Sequence, residues 1–165
     1  MPAGIALARE VPPDLIRVVV LDGLLRMIDA RKRSAMPAVR ILVVDDDRLL
    51  RQMVRDFLEV AGFAVAEAVD GPDGFAQATT GLPDLILLDV MMPTMTGFEV
   101  CQQLRADPRL KDTPIILLTA LEDAGVETMG KKAGATTTLR KPFGPEYIIE
   151  FLGKVLRRKS GPLRL

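Results

Sequence analysis

Histidine is missing from this chain altogether, and cysteine occurs once. Without histidine there is no imidazole for acid–base catalysis, none for a zinc site, and none to carry a phosphoryl group. The lone Cys101 excludes an intramolecular disulfide and a multi-cysteine metal centre, and nothing marks it as reactive. Aromatic residues reach only 4%, which is poor provision for stacking on bases. No charge sign dominates, because 22 Lys+Arg balance 22 Asp+Glu, so nothing global points to nucleic acid or to a membrane surface. No apolar run is long enough to span a bilayer. Acidic residues interrupt the N-terminal apolar stretch, which argues against a signal peptide. The expectation is a cytoplasmic protein with no direct nucleic-acid contact and no membrane insertion.

What remains is ordinary globular material, 48% hydrophobic and 27% charged. The length, 165 residues, allows one domain with a good core and an appendage. The texture divides accordingly. Residues 1–37 read as an extension of unknown role, 38–160 as the domain, and 161–165 as a tail. In the extension, Pro2, Pro12 and Pro13 break the start. Asp14 is placed to N-cap a helix from about Leu15 to Arg33, whose apolar residues are only loosely periodic. Arg31, Lys32 and Arg33 suit its negative C-terminal end. Met36 opens a second plausible start. The extension is either an upstream translated segment without a function or a helix that docks a partner.

From Val39 the pattern is regular. Val39 to Val44 reads as a strand and ends in Asp45, Asp46 and Asp47. Leu49, Leu50, Met53, Val54, Phe57, Leu58 and Ala61 then recur at helical spacing up to a stop at Gly62. Phe63 to Val69 is a second strand, and Pro72 to Thr80 a short helix. Leu85 to Leu88 is a continuous apolar run that ends on Asp89, as a strand buried on both faces does. A lone carboxylate is costly to bury, so Asp89 is expected where the strand emerges. Phe98, Cys101 and Leu104 share one face of a third helix, which Pro108 ends. Pro114 to Leu118 is the fourth strand, closing on Thr119. A weak helix follows between Asp123 and Ala133, since Gly125 and Gly130 each cost about 1 kcal/mol against alanine. Thr136 to Arg140 is the fifth strand, closing on Lys141 and Pro142. Tyr147, Ile148, Phe151, Leu152, Val155 and Leu156 stripe a final helix. Lys154, Arg157, Arg158 and Lys159 gather near its end, where they suit the helix dipole as a solvated face.

Five strands alternating with five helices argue for an α/β fold with a parallel sheet covered on both faces. All strand C-termini then lie on one edge, the edge where such sheets bind ligands. In the flavodoxin-like order 2-1-3-4-5, strands one and three flank the switch point, so Asp45, Asp46 and Asp89 share a pocket with Thr119 and Lys141 alongside. Two carboxylates about 4 Å apart repel by roughly 4 kcal/mol at an effective dielectric of 20. Three stay ionised together only beside a compensating cation.

VVDDD at 43 to 47, DLILLDVMMPTMTGFEV at 84 to 100, PIILLTA at 114 to 120 and KPF at 141 to 143 resemble the receiver domain of two-component response regulators. The likeness runs from Val39 to Arg158 and keeps order and spacing. It implies a doubly wound CheY-like fold and an aspartate phosphorylated by a histidine kinase or a histidine phosphotransferase. By that resemblance Asp89 is the phosphoacceptor. Asp45 and Asp46 are the acidic pair that binds Mg²⁺ with Asp89, and Met91 lends the metal its backbone carbonyl. Thr119 and Lys141 contact the phosphoryl group. The implied function is a single-domain regulator that assists its own phosphorylation and dephosphorylation. It switches a surface formed by helix four, strand five and helix five, read by a downstream protein. One position departs from the family. Where receivers usually carry a switch aromatic, three residues before the lysine, this chain has Thr138, which leaves a cavity or hydrogen-bonds instead.

Rival readings are a receiver-like interaction module that works without phosphorylation, and a phosphorelay intermediate or phosphate sink. A haloacid-dehalogenase-type phosphatase wants a second acid two residues after the nucleophile, where this chain has Met91. A nucleic-acid enzyme built on Asp45 and Asp47 wants a basic groove and a partner glutamate, and neither is visible.

Overall fold

The structure is a computed structural model, and it describes residues 38–120 and 124–160. All of these belong to the unit Met36–Leu165. The expected N-terminal helix and the tail at 161–165 lie outside the described residues.

Five parallel strands form one sheet in the order β2-β1-β3-β4-β5. They are β1 Arg40–Val44, β2 Ala64–Ala68, β3 Leu85–Asp89, β4 Ile115–Thr119 and β5 Thr137–Arg140. Among the described residues five helices alternate with them: α1 Arg48–Val60, α2 Gly71–Gly81, α3 Gly97–Ala106, α4 Ala124–Ala133 and α5 Pro145–Ser160. This is the flavodoxin-like order the sequence predicts. β3 and β4 are buried along their whole length, as strands covered by helices on both faces must be. The edge strands β2 and β5 are only partly buried. Leu42, Val44, Ile86, Leu88, Ile115 and Leu117 pack on one side with Ala78 of α2, Val100, Cys101 and Leu104 of α3, and Ala133 of α4. Strand alternation turns Ile41, Val43, Leu85 and Leu87 to the other side. There α1 packs against β1 and β2, and α5 packs on α1. Each fully buried Leu, Ile or Val contributes about 1.5–3 kcal/mol. β3 alone buries four of them beside its carboxylate.

Two helices keep most of their expected buried residues but differ from the expected faces in part. On α1 the buried residues are Arg51, Val54 and Leu58, while Leu49 is 77% and Met53 38% exposed. The inward face is therefore i, i+3, i+7 from an arginine, and part of the apolar stripe looks outward. On α5 the buried set is Ile148, Ile149, Leu152 and Val155. Tyr147 is exposed and stacks on half-buried Phe151 at a centroid distance of 6.1 Å. The contact face has rotated toward Ile149, away from the aromatic ring with a polar tip.

The glycines of α4 read as weakness in the sequence, but Gly130 has a packing reason. A Cβ there would stand 3.1 Å from Leu117 Cδ1 and 3.3 Å from Thr138 Cγ2, so the helix lies close on β4 and β5. Thr138 packs its methyl toward α4 in place of a ring. Among the described residues no helix is long and apolar enough to cross a membrane.

Candidate functional site

Registers bring the strand ends together. Val44 pairs with Leu88, Asp89 with Leu118, and Thr119 with Arg140. Asp45 follows β1 directly, and its N–H donates to the Ala68 carbonyl at 3.2 Å. Asp89 closes β3, and Val90 N–H donates to the Leu118 carbonyl at 2.9 Å. Lys141 follows β5 and its N–H donates to the Thr119 carbonyl at 2.8 Å, ahead of a cis Lys141–Pro142 bond.

The three consecutive acids divide their work. Asp45 is 1% exposed; its Oδ1 accepts the Asp47 N–H at 2.9 Å and its Oδ2 accepts from Lys141 Nζ at 2.8 Å. Asp46 is exposed. Asp47 caps α1, accepting from the N–H groups of Leu49 and Leu50 at 2.9 and 3.2 Å. That use of Asp47 removes it from any pairing with Asp45 in a two-acid active site. Asp45, Asp46 and Asp89 each turn an oxygen to a common point, all within 4.8 Å of one another.

Asp89 stands at the end of β3, as expected, yet it is only 5% exposed. The ammonium of Lys141 makes this tolerable by donating to Asp89 Oδ1 at 2.9 Å while also holding Asp45. Burial still pushes the Asp89 carboxyl above its ordinary value, with Asp45 and Asp46 adding to the rise and Lys141 opposing it. Burial alone would push the Lys141 ammonium down, but its bonds to Asp45 and Asp89 outweigh that and leave it raised. The lysine is therefore firmly charged and shared between two acids.

The loop after Asp89 is fitted closely. Gly97 N–H donates to the Val90 carbonyl at 2.9 Å, and a Cβ on Gly97 would run into the carbonyl oxygen of Asp89. Thr96 and Glu99 cap α3 reciprocally. Met91 lies in this loop with its side chain 60% exposed, while Met92 is buried. Thr119 is 5% exposed at the end of β4, beside the strand that carries Asp89. Thr138 stands apart, opposite Leu117 in the sheet and half-buried against α4. Cys101 is fully buried in the core, where burial pushes its thiol up to about 11 and removes thiolate reactivity.

The donor set fits Mg²⁺. That ion takes hard oxygen ligands, and carboxylates crowded this closely with one shared ammonium between them are held short of cations. The sequence reading passed over one residue, Arg51. It is buried, and it donates to the Asp45 carbonyl at 2.7 Å from behind the acids. It is charged, so apolar spacing gave no signal for its burial.

Comparison with known proteins agrees with this geometry. The family model described as the response regulator receiver domain matches residues 41–152. The DNA-binding dual master transcriptional regulator RpaA of a Synechocystis strain is 44% identical over 119 residues, covering 72% of this chain and 49% of that protein. Response regulator MprA of a Mycobacterium strain is 43% identical over 122 residues, covering 74% and 52%. The chain thus spans about half the length of these curated relatives. The solved chemotaxis protein CheY4 of Vibrio cholerae is 40% identical with a TM-score of 0.70, covering 72% of this chain and 99% of that one.

Proposed function

The chain belongs to the response regulator receiver family, the phosphoacceptor modules of two-component signalling, and from that premise we propose that Asp89 is its phosphoacceptor. The supporting observation is the single ammonium of Lys141 bonded at once to Asp45 and Asp89, beside a third acid at the same rim.

In this reading Asp45, Asp46, Asp89 and the Met91 carbonyl hold Mg²⁺, which supplies charge to neutralise the phosphoryl oxygens when bound. Asp89 donates a carboxylate oxygen to phosphorus. A new O–P bond forms as the P–N bond to the donor's histidine breaks, and the departing imidazole keeps the electron pair and takes up a proton. Lys141, already charged, transfers its Asp89 contact to a phosphoryl oxygen, and Thr119 donates its hydroxyl to another. In this reading the donor is a histidine kinase or histidine phosphotransferase, as the receiver family implies.

The output is a surface change read by a downstream protein, carried by α4, β5 and α5. Thr138 takes part without an aromatic ring, its methyl set against Gly130. RpaA is described as DNA-binding; the described residues here are assigned no nucleic-acid contact. Two exposed cations pair with acids one turn away, Lys131 of α4 with Glu127 and Lys154 of α5 with Glu150. The proposed domain is residues 38–160, working in the cytoplasm.

Incubation with acetyl phosphate and Mg²⁺ tests the assignment. An acid-stable, base-labile label on Asp89 is expected, absent from Asp89→Asn. Normal labelling of Asp89→Asn would overturn it.

A further inference from the structure

Arg51 is a buried cation that the proposed phosphoryl chemistry does not touch. It projects from α1 with only 9% exposure. One guanidinium nitrogen, Nη1, donates to the Asp45 carbonyl at 2.7 Å and reaches the Asp46 carbonyl at 3.5 Å. Its Nε lies 3.3 Å from Glu67 Oε1, an ion pair out of line for a hydrogen bond, and has no other partner. Glu67 belongs to β2 and is held from its other oxygen by Arg55 Nη1 at 2.6 Å.

A buried guanidinium is costly to desolvate, and an apolar side chain beside Val54 and Leu58 would pack without that cost. The return on this arrangement is at the backbone. Both acids of the pair have their carbonyl oxygens drawn toward one guanidinium nitrogen on the α1 side, while Nε of the same planar group faces Glu67. The orientation of those peptide planes sets where the two side chains leave the chain. Asp45 has further restraints, from the Asp47 N–H and from Lys141. The Asp46 carboxylate makes no hydrogen bond among the described residues, so its aim depends on its main chain.

We propose that Arg51, anchored by Glu67, is a positioning residue for cation capture. It holds the Asp45–Asp46 main chain so that the carboxylates face the pocket before a divalent ion arrives. This rests on the reading that these acids bind Mg²⁺.

Charge and positioning predict opposite signs. A cation behind the acids repels Mg²⁺, so if Arg51 acted by charge alone its loss would tighten binding. If it acts by positioning, its loss weakens binding, and Arg51→Lys, which keeps the charge but not the fork, weakens it too. The experiment is calorimetric titration of Mg²⁺ into the full chain and into Arg51→Met, Arg51→Lys and Glu67→Gln, with metal-free melting curves of each. The expected result is a loss of Mg²⁺ affinity of about tenfold or more in both Arg51 variants and a smaller loss in Glu67→Gln. Labelling by acetyl phosphate should recover at saturating Mg²⁺. Should Arg51→Met fail to fold, the lysine variant decides. Unchanged or tighter Mg²⁺ binding by a folded Arg51 variant would overturn the proposal while leaving the acids' role intact. No Mg²⁺ binding by the unaltered chain would overturn the underlying reading, and the proposal with it.

Discussion

Asp89 is held in a place that its charge disfavours. Its carboxyl is raised above the ordinary range by burial first and by neighbouring acids second. The folded form therefore holds that proton more tightly than the unfolded form. The stabilisation from this is full below the ordinary carboxylate pKa of about 3.9 and is lost as pH rises through the folded value. At neutral pH the ionised group is a net cost. Asp89→Asn is thus expected to melt higher than the unaltered chain in metal-free buffer at neutral pH, the gap closing as pH falls toward about 4. A lower melting point at neutral pH would show that Lys141 outweighs desolvation at this residue. Lys141 itself predicts the reverse. Its Nζ joins Asp45 and Asp89, whose side chains are 2% and 7% exposed. Removing one partner of a buried pair costs about 3–5 kcal/mol, because the other charge is left uncompensated. Lys141→Met should lose stability on that scale without metal, and Mg²⁺ should restore more of it than it adds to the unaltered chain. Equal Mg²⁺ increments in the two would mean that ammonium and metal do not share the same acids.

The helices and strands were legible to different degrees. β3 could be read directly because Leu85 to Leu88 are apolar without a break, a pattern that burial on both faces requires. Alternation with helices argued only for a parallel sheet; the order was that of the flavodoxin-like fold, and the convergence of Asp45, Asp46, Asp89 and Lys141 followed from that order. Helix faces were harder. Leu49 and Met53 are apolar yet exposed, and Arg51 is charged yet buried, so a hydrophobic stripe misstates the inward face of α1. An arginine buried by bonds to backbone carbonyls has no signature in apolar periodicity. Glycine was equally ambiguous, and α2 shows why. Gly74 and Gly81 are both helical, but a Cβ on Gly74 would lie 2.7 Å from Val44 Cγ1, whereas one on Gly81 meets nothing within 4 Å. Gly81→Ala is expected to stabilise by about 0.5–1 kcal/mol through helix propensity and the unfolded chain. Gly74→Ala is expected to destabilise by about 1–3 kcal/mol through overpacking against the strand that leads to Asp45. Urea unfolding of the two variants checks both signs.

At the scale of the whole molecule the site is made of remote pieces. The Lys141–Asp45 bond joins residues 96 apart in sequence, and the Lys141–Asp89 bond joins residues 52 apart. Unfolding disperses all of them, so an ion held by Asp45, Asp46 and Asp89 binds the native state and has no comparable site in the unfolded chain. Such an ion stabilises by mass action, about 2.7 kcal/mol at a hundredfold excess over its dissociation constant. The gain must appear in global unfolding, because the ligands stand at the C-terminal ends of β1 and β3, two interior strands of the sheet. Mg²⁺ is therefore expected to raise the melting temperature of the full chain progressively with concentration, and to do so far less in Asp45→Asn. The same reasoning locates the folding unit. Every proposed ligand lies within Met36–Leu165. A chain beginning at Met36 should then fold, show the same Mg²⁺-dependent rise and label equally with acetyl phosphate. An equal rise in both chains places the whole capture site in that unit. A smaller rise in the shorter chain would overturn that placement.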